Sequence, residues 1–146
     1  MPRFTRMTAT LPGLLLPALM AFQAQAYDLE IHGSNTVGAT LAPMLVTGYL
    51  EEHSGGQVAA RVTGVENEKS LRAPVNNRAA EVLVAAHGSS TGFKAMAAGK
   101  ADIWASSRPV KPQEAEQFRA RADLTAPESE HVIAIDGLAI LVHPSN

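Results

Sequence analysis

The stretch that decides the fold occurs twice: His32-Gly33-Ser34-Asn35-Thr36 and His87-Gly88-Ser89-Ser90-Thr91. Each copy follows a short run with strand character and precedes one with helical spacing. Glycine and hydroxyl residues therefore stand where a strand ends and a helix begins, where the first backbone N–H groups have no partner inside the helix. Glycine allows close backbone approach, Ser and Thr add hydroxyl donors, and the helix dipole places partial positive charge there. Each copy alone also reads as an ordinary helix cap, since Ser and Thr are good N-cap residues. Two copies aimed at one spot make the chemistry of an anion cradle.

Working outward, Leu29–His32 is a strand entering the first turn. Val37, Leu41, Met44, Leu45 and Tyr49 then recur at helical spacing up to about Glu52, with Ser54-Gly55-Gly56 behind. Pro43 either starts that helix or bends it. Gln57–Thr63 reads as a second strand. Glu66–Arg78, charged, Asn-rich and interrupted by Pro74, reads as a solvated excursion with a single helical turn. Glu81–Ala86 is a third strand entering the second turn, followed by a helix from about Thr91 to Ala98 that stops at Gly99. Asp102–Ala105 is a short strand ending in Ser106-Ser107-Arg108-Pro109, and Pro112 opens a helix with Glu114 and Glu116 early and Arg119 and Arg121 late. Val132–Ile135 and Leu138–Val142 read as two apolar strands around Asp136-Gly137. Alternating strands and helices give an α/β fold with a largely parallel sheet, and ligands of such sheets bind beyond the carboxyl ends of the strands. Three such ends carry hydroxyls: Ser34 to Thr36, Ser89 to Thr91, and Ser106 with Ser107.

Arg3 and Arg6, the apolar stretch Leu11–Phe22 and Ala24-Gln25-Ala26 form a secretory signal peptide over residues 1–26. The apolar run, broken by Pro12, Gly13 and Pro17, is shorter than the ~20 residues that span a bilayer. Residues 27–146 are then the mature, periplasmic domain. The formal charge is −2 with no basic cluster, which excludes a nucleic-acid footprint. The absence of cysteine excludes a disulfide scaffold, a thiol nucleophile and a thiolate metal site. The five histidines show no metal-ligand spacing, and His32 and His87 read as buried or turn-capping side chains.

Gly33-Ser34-Asn35-Thr36-Val37-Gly38, Gly88-Ser89-Ser90-Thr91-Gly92 with Lys94, Ala98-Gly99-Lys100-Ala101-Asp102-Ile103 running into Ala105-Ser106-Ser107-Arg108-Pro109, and Val132–Gly137 closing on His143-Pro144-Ser145-Asn146 resemble, in order, the PstS-like phosphate-binding proteins of bacterial phosphate ABC importers. These are type II periplasmic binding proteins. The resemblance implies one lobe of a two-lobed clamshell, a mostly parallel sheet flanked by helices. It implies phosphate contacts from Thr36, the Val37 N–H, Ser89 and the position of Ser107, with no cofactor and no catalysis. It further implies a monomer partnered by importer membrane subunits or another envelope protein.

With Ser34, Ser90 and Arg108 from the same turns, the candidate oxyanion-binding set is Ser34, Thr36, Val37, Ser89, Ser90, Ser107 and Arg108. Arg108 reads equally as an anion fork or as a solvated residue guarding the strand end. The well-known form of the family carries aspartate where this chain has Ser107, so the selectivity of phosphate over sulfate is expected to be weaker here. Glu66–Arg78 resembles an insertion found in larger proteins that join this module to other envelope domains, and the chain ends where family members continue into a second lobe. Two other readings stay open: an envelope-associated interaction or sensing module that keeps the fold without transport, and a secreted serine hydrolase with His32, His87 or His131 as base. The hydrolase lacks the G-x-S-x-G elbow, since Ala86-His87-Gly88-Ser89-Ser90 has no first glycine.

Overall fold

A computed structural model of the protein describes residues 27–135. The segment 1–26, expected from the sequence to be a signal peptide, and the strand expected at Leu138–Val142 lie outside them. The described chain runs β1 (Leu29–Gly33), a π-helical turn (Val37–Leu41), α1 (Ala42–Ser54), β2 (Ala59–Val62), β3 (Glu68–Val75), β4 (Arg78–Ala85), α2 (Ser89–Ala97), β5 (Ile103–Ala105) and α3 (Pro112–Phe118). The strands form one sheet in the order β2-β3-β4-β1-β5. β4, β1 and β5 are mutually parallel, while β2-β3 and β3-β4 pair antiparallel. This is an α/β lobe as expected, with a mixed sheet.

Because strand side chains alternate between faces, the register sorts the two sides. Ile31, Leu71, Ala73, Val82 and Val84 share one face with the buried Leu50 of α1 and form the main core. His32 and Trp104, paired across β1 and β5, lie on the other face, where Phe93 of α2 meets Trp104 edge-on at 5.5 Å and Phe118 of α3 meets Phe93 at 6.5 Å. Helices thus cover both faces, and the hydroxyl-rich turns stand at the rim between the layers.

The segment Glu66–Arg78 corrects the expectation of a solvated excursion. It supplies β3, whose Leu71 and Ala73 are each 2 % exposed, and the turn into β4. Asn76 and Asn77 take φ of 50° and 62°, the two positive values that a two-residue I′ hairpin requires and that Asn tolerates. Pro74 fits because β2 pairs no further along β3 than Arg72. On that side no strand waits for the N–H that proline lacks.

Pro43 explains the π-helical turn. Proline cannot donate to the carbonyl four residues back, that of Ala39, and its ring crowds it. The chain widens there, with the Ala42 N–H reaching the Val37 carbonyl, and Lys69 Nζ donates to the freed Ala39 carbonyl at 3.1 Å. The helix therefore runs on through a π turn, with Pro43 in the first turn of α1.

Val132–Ile135 is not a strand. It pairs with none of the five strands, and Val132, Ile133 and Ile135 are 74 %, 59 % and 95 % exposed. Apolar sequence favours a strand only where a neighbour takes its backbone groups, and its expected partner, Leu138–Val142, lies outside the described residues.

Two glycines of the helical layers separate packing from propensity. A Cβ at Gly92 would lie 2.5 Å from both Gly33 Cα and the His32 carbonyl oxygen, whereas one at Gly48, exposed within α1, would meet nothing within 4 Å. Gly92→Ala is expected to destabilise the lobe by about 1–3 kcal/mol or more. Gly48→Ala is expected to stabilise it by about 0.5–1 kcal/mol through helix propensity. Urea unfolding of the two variants against the parent measures both signs.

Candidate functional site

The carboxyl ends of β4, β1 and β5 lie side by side, with β1 in the middle. Backbone bonds fasten them: the Ser34 N–H donates to the Ala105 carbonyl at 2.8 Å and the Gly88 N–H to the Gly33 carbonyl at 2.7 Å. Gly33 has φ of 149°, and a Cβ there would fall 1.8 Å from the Ala105 oxygen. Gly38 is similarly pressed on Ala86, where an added Cβ would come within 2.7 Å of the alanine Cβ. The repeated glycines thus draw the three turns to one rim.

The hydroxyls divide by what they already do. Ser34 is buried and its Oγ accepts the Thr36 N–H at 3.1 Å, so the first copy does use a serine to hold its own turn. Ser106 is likewise engaged within its turn, its Oγ donating to the Arg108 carbonyl at 2.7 Å and accepting the Arg108 N–H at 3.3 Å. The second copy behaves differently. The N-cap of α2 is Gly88, with no side-chain cap bond. Ser89 Oγ accepts the Ser107 N–H at 3.2 Å and lies 3.4 Å from Ser107 Oγ, and Ser90 Oγ accepts an N–H of Arg108 at 3.2 Å. Ser90 and Ser107 are exposed and Ser89 half-buried. Thr36 is exposed and Val37 half-buried at the start of the helix after β1, on the neighbouring strand end. The structure therefore joins Ser89, Ser90, Ser107 and Arg108 directly, ties Ser34 to them through backbone, and sets Thr36 and Val37 beside them without contact.

These bonds occupy part of each serine's hydrogen-bonding capacity. A hydroxyl has one hydrogen to give and two lone pairs. Ser89 and Ser90 each have one lone pair filled by an N–H, which leaves each with its hydrogen and a second lone pair, and between Ser89 and Ser107 either hydroxyl can be the donor.

Arg108 is neither a free fork nor a solvated guard. Its guanidinium grips Glu114 through both ends at 2.8 and 2.6 Å, donates to the Pro109 carbonyl at 2.9 Å and lies 5.7 Å over the Trp104 ring. Trp104 also donates its indole N–H to the Ser89 carbonyl at 2.7 Å. Glu114 carries the one spacing signal available for it, since Glu at the third helical position completes a capping box: its Oε2 accepts the Lys111 N–H at 2.9 Å.

The other singled-out residues stand aside. His32 Nε2 pairs with Glu30 at 3.0 Å, and His87 Nε2 lies 3.0 Å from the Glu66 carbonyl. Lys94 is exposed on α2, and Asp102 accepts the Glu30 N–H at 2.8 Å, binding β5 to β1. No group of three or more metal-ligating side chains occurs among the described residues, and no helix among them is long and apolar enough to cross a membrane. A groove of about 590 Å³ opens at the far end of the sheet, around Val58, Arg72, Pro74 and Arg78. It has no hydroxyl cluster.

A family model described as a PBP superfamily domain matches residues 27–146. No curated protein and no solved structure matches the chain in the corresponding comparisons.

The Arg108–Glu114 pair sets an acid response. The bond from Arg108 holds the Glu114 carboxyl below its ordinary value of 4.5, assisted by the Lys111 N–H and opposed by burial. A carboxyl lowered on folding contributes stability that is complete above that ordinary value and is lost as pH falls through the folded one. Thermal melts are expected to decline as the medium is acidified below 4.5. Glu114→Gln should lower stability by about 1–3 kcal/mol near neutrality and flatten that decline.

Proposed function

The chain belongs to the PBP superfamily, and we infer from that membership and from the donor polarity of its rim that it is a periplasmic lobe binding an inorganic oxyanion, phosphate foremost, for uptake by an ABC importer. Membership of this superfamily carries a solute-binding role. The observation that bears on the solute is that Ser89 and Ser90 each spend one lone pair on an N–H and keep their hydrogen to offer a ligand. Thr36 and Val37, on the adjacent helix start, bring further donors to the same rim. The one carboxylate of the network, Glu114, is turned inward to Arg108. A solute with several acceptor oxygens and negative charge fits such a rim, while the network offers a cation no free carboxylate.

Hydrolysis is poorly served by the same geometry. A serine nucleophile needs a base in hydrogen-bond reach, and among the described residues the partners of Ser89, Ser90 and Ser107 are one another, Arg108 and backbone, not imidazole. Of the two features behind the interaction-module reading, the insertion and the missing second lobe, the first, Glu66–Arg78, supplies instead a core strand of the lobe.

Two variants test the proposal. Ser89→Ala and Ser90→Ala are each expected to weaken phosphate binding roughly ten- to hundredfold, the worth of one hydrogen bond to a charged ligand. Titration by calorimetry or amide NMR reads the loss, and unchanged affinity in both variants would overturn the site. Ser107→Asp is expected to widen the preference for phosphate over sulfate, because a carboxylate accepts a hydrogen from protonated phosphate and repels an anion that has none to give. A competition of sulfate against bound phosphate in parent and variant measures it.

A further inference from the structure

Arg108, on the turn after β5, and Glu114, in the first turn of α3, account for each other almost completely. Glu114 is 9 % exposed, and each of its oxygens takes an N–H from a different terminal nitrogen of the guanidinium. Of the five N–H groups of an arginine, two go to Glu114, one to the Pro109 carbonyl and one to Ser90 Oγ. Only the Nε hydrogen is left, and the guanidinium stands over Trp104. The charge nearest the rim is therefore cancelled, and the side chain that carries it is aimed at a serine of the rim.

That arrangement has a chemical consequence. A guanidinium left to itself beside the rim would grip an anion by two parallel bonds, favour the more highly charged anion and make the affinity fall with salt. One already held by a carboxylate has no fork to offer. It acts through Ser90, filling one lone pair of that hydroxyl and leaving its hydrogen for a ligand.

We propose that Glu114 is a positioning residue of the oxyanion site: acting through Arg108, it neutralises the guanidinium and holds it on Ser90, so that the anion meets neutral hydroxyl and amide donors in place of a cation. The proposal rests on the oxyanion reading for its ligand, while its geometry is independent of that reading. Glu114 touches no anion itself. The role separates it from the structural function that a helix-capping glutamate would have anyway, because charge and shape can be changed apart.

The test uses the full chain, ¹⁵N-labelled and titrated with inorganic phosphate and with sulfate at low and high ionic strength. The Ser107 amide and the Trp104 indole N–H are the reporters, and thermal melts are run alongside. Glu114→Gln is expected to bind both anions roughly two- to fivefold more tightly at low salt, as a partly exposed charge is uncovered, and to lose that gain at high salt. Glu114→Asp, which keeps the charge on a shorter arm, is expected to keep the parent's salt dependence even where its melting temperature falls. The double variant Arg108→Gln/Glu114→Gln is expected to show the parent's salt dependence as well.

A purely structural Glu114 would weaken binding in Gln and Asp variants alike and leave the salt dependence alone, which overturns the proposal. Where Glu114→Gln does not fold, the double variant decides: a salt dependence clearly smaller than the parent's means that the anion already felt the Arg108 charge, and overturns it too. Silence of parent and Glu114→Gln toward both anions overturns the oxyanion reading itself. Shifts in the parent with no effect of Glu114 on salt dependence overturn the role of Glu114 alone.

Discussion

The contact on which the rest of this lobe depends is the meeting of Gly33 with the Ala105 carbonyl. The oxygen occupies the space that any side chain at residue 33 would need, and the next N–H along, that of Ser34, donates to it. β1 and β5 can therefore end flush. Gly92 brings α2 down onto the same point, against Gly33 Cα and the His32 carbonyl, and Gly88 closes the other side by donating to Gly33. Backbone packs on backbone at the centre of the rim, where the side chains have been removed. The three turns can approach one another only because nothing bulkier stands between them.

What those hydroxyls are good for is decided by their direction more than by their number. A serine can give or take a hydrogen, and a cluster of serines has no intrinsic sign. The neighbours tilt that balance: the Ser107 amide donates into Ser89 and the Arg108 guanidinium donates into Ser90. Each of those contacts uses one lone pair and leaves the hydroxyl its hydrogen. An anion site needs donors fixed before the ligand arrives, because donors that must first turn away from water or from each other lose most of their worth. Trp104 contributes to that fixing from below, holding the Ser89 carbonyl through its indole N–H while its ring packs on Phe93.

The fold was largely legible because its signals are local. The helix after β1, the short helix closed by Gly99, the helix opened by Pro112 and all four of the early strand runs follow from periodicity, glycine and proline. The hairpin strand Glu68–Val75 was hidden because charge and a proline outweighed the alternation beneath them. The turn that reveals it, Asn76-Asn77, is a weaker form of the Asn-Gly signal. The Val132–Ile135 strand failed for the opposite reason, since its residues have strand character and no partner among the described residues. At the site, the three turns could be found from composition, but the division of labour inside them could not. Nothing in the sequence tells Ser34, which serves its own turn, from Ser90, which faces outward. The pairing of Arg108 with Glu114 joins a turn to a helix six residues on, and only the capping-box spacing hinted at it.

On the proposed oxyanion reading, that pairing also bears on how an anion is held by a lobe with so little charge. The chain is mildly acidic overall, and the arginine nearest the rim is cancelled by the glutamate beside it. Binding through a bare cation would be strong at low salt and indiscriminate, since a point charge ranks anions by charge and little else. Binding through oriented neutral donors ranks them by shape and by which oxygens carry hydrogen, and is less affected by salt. A rim of this kind gives up raw attraction and keeps the means to discriminate. Its remaining selectivity then rests on the few groups able to accept a hydrogen, among which the hydroxyl of Ser107, which can turn either way, is the most adaptable.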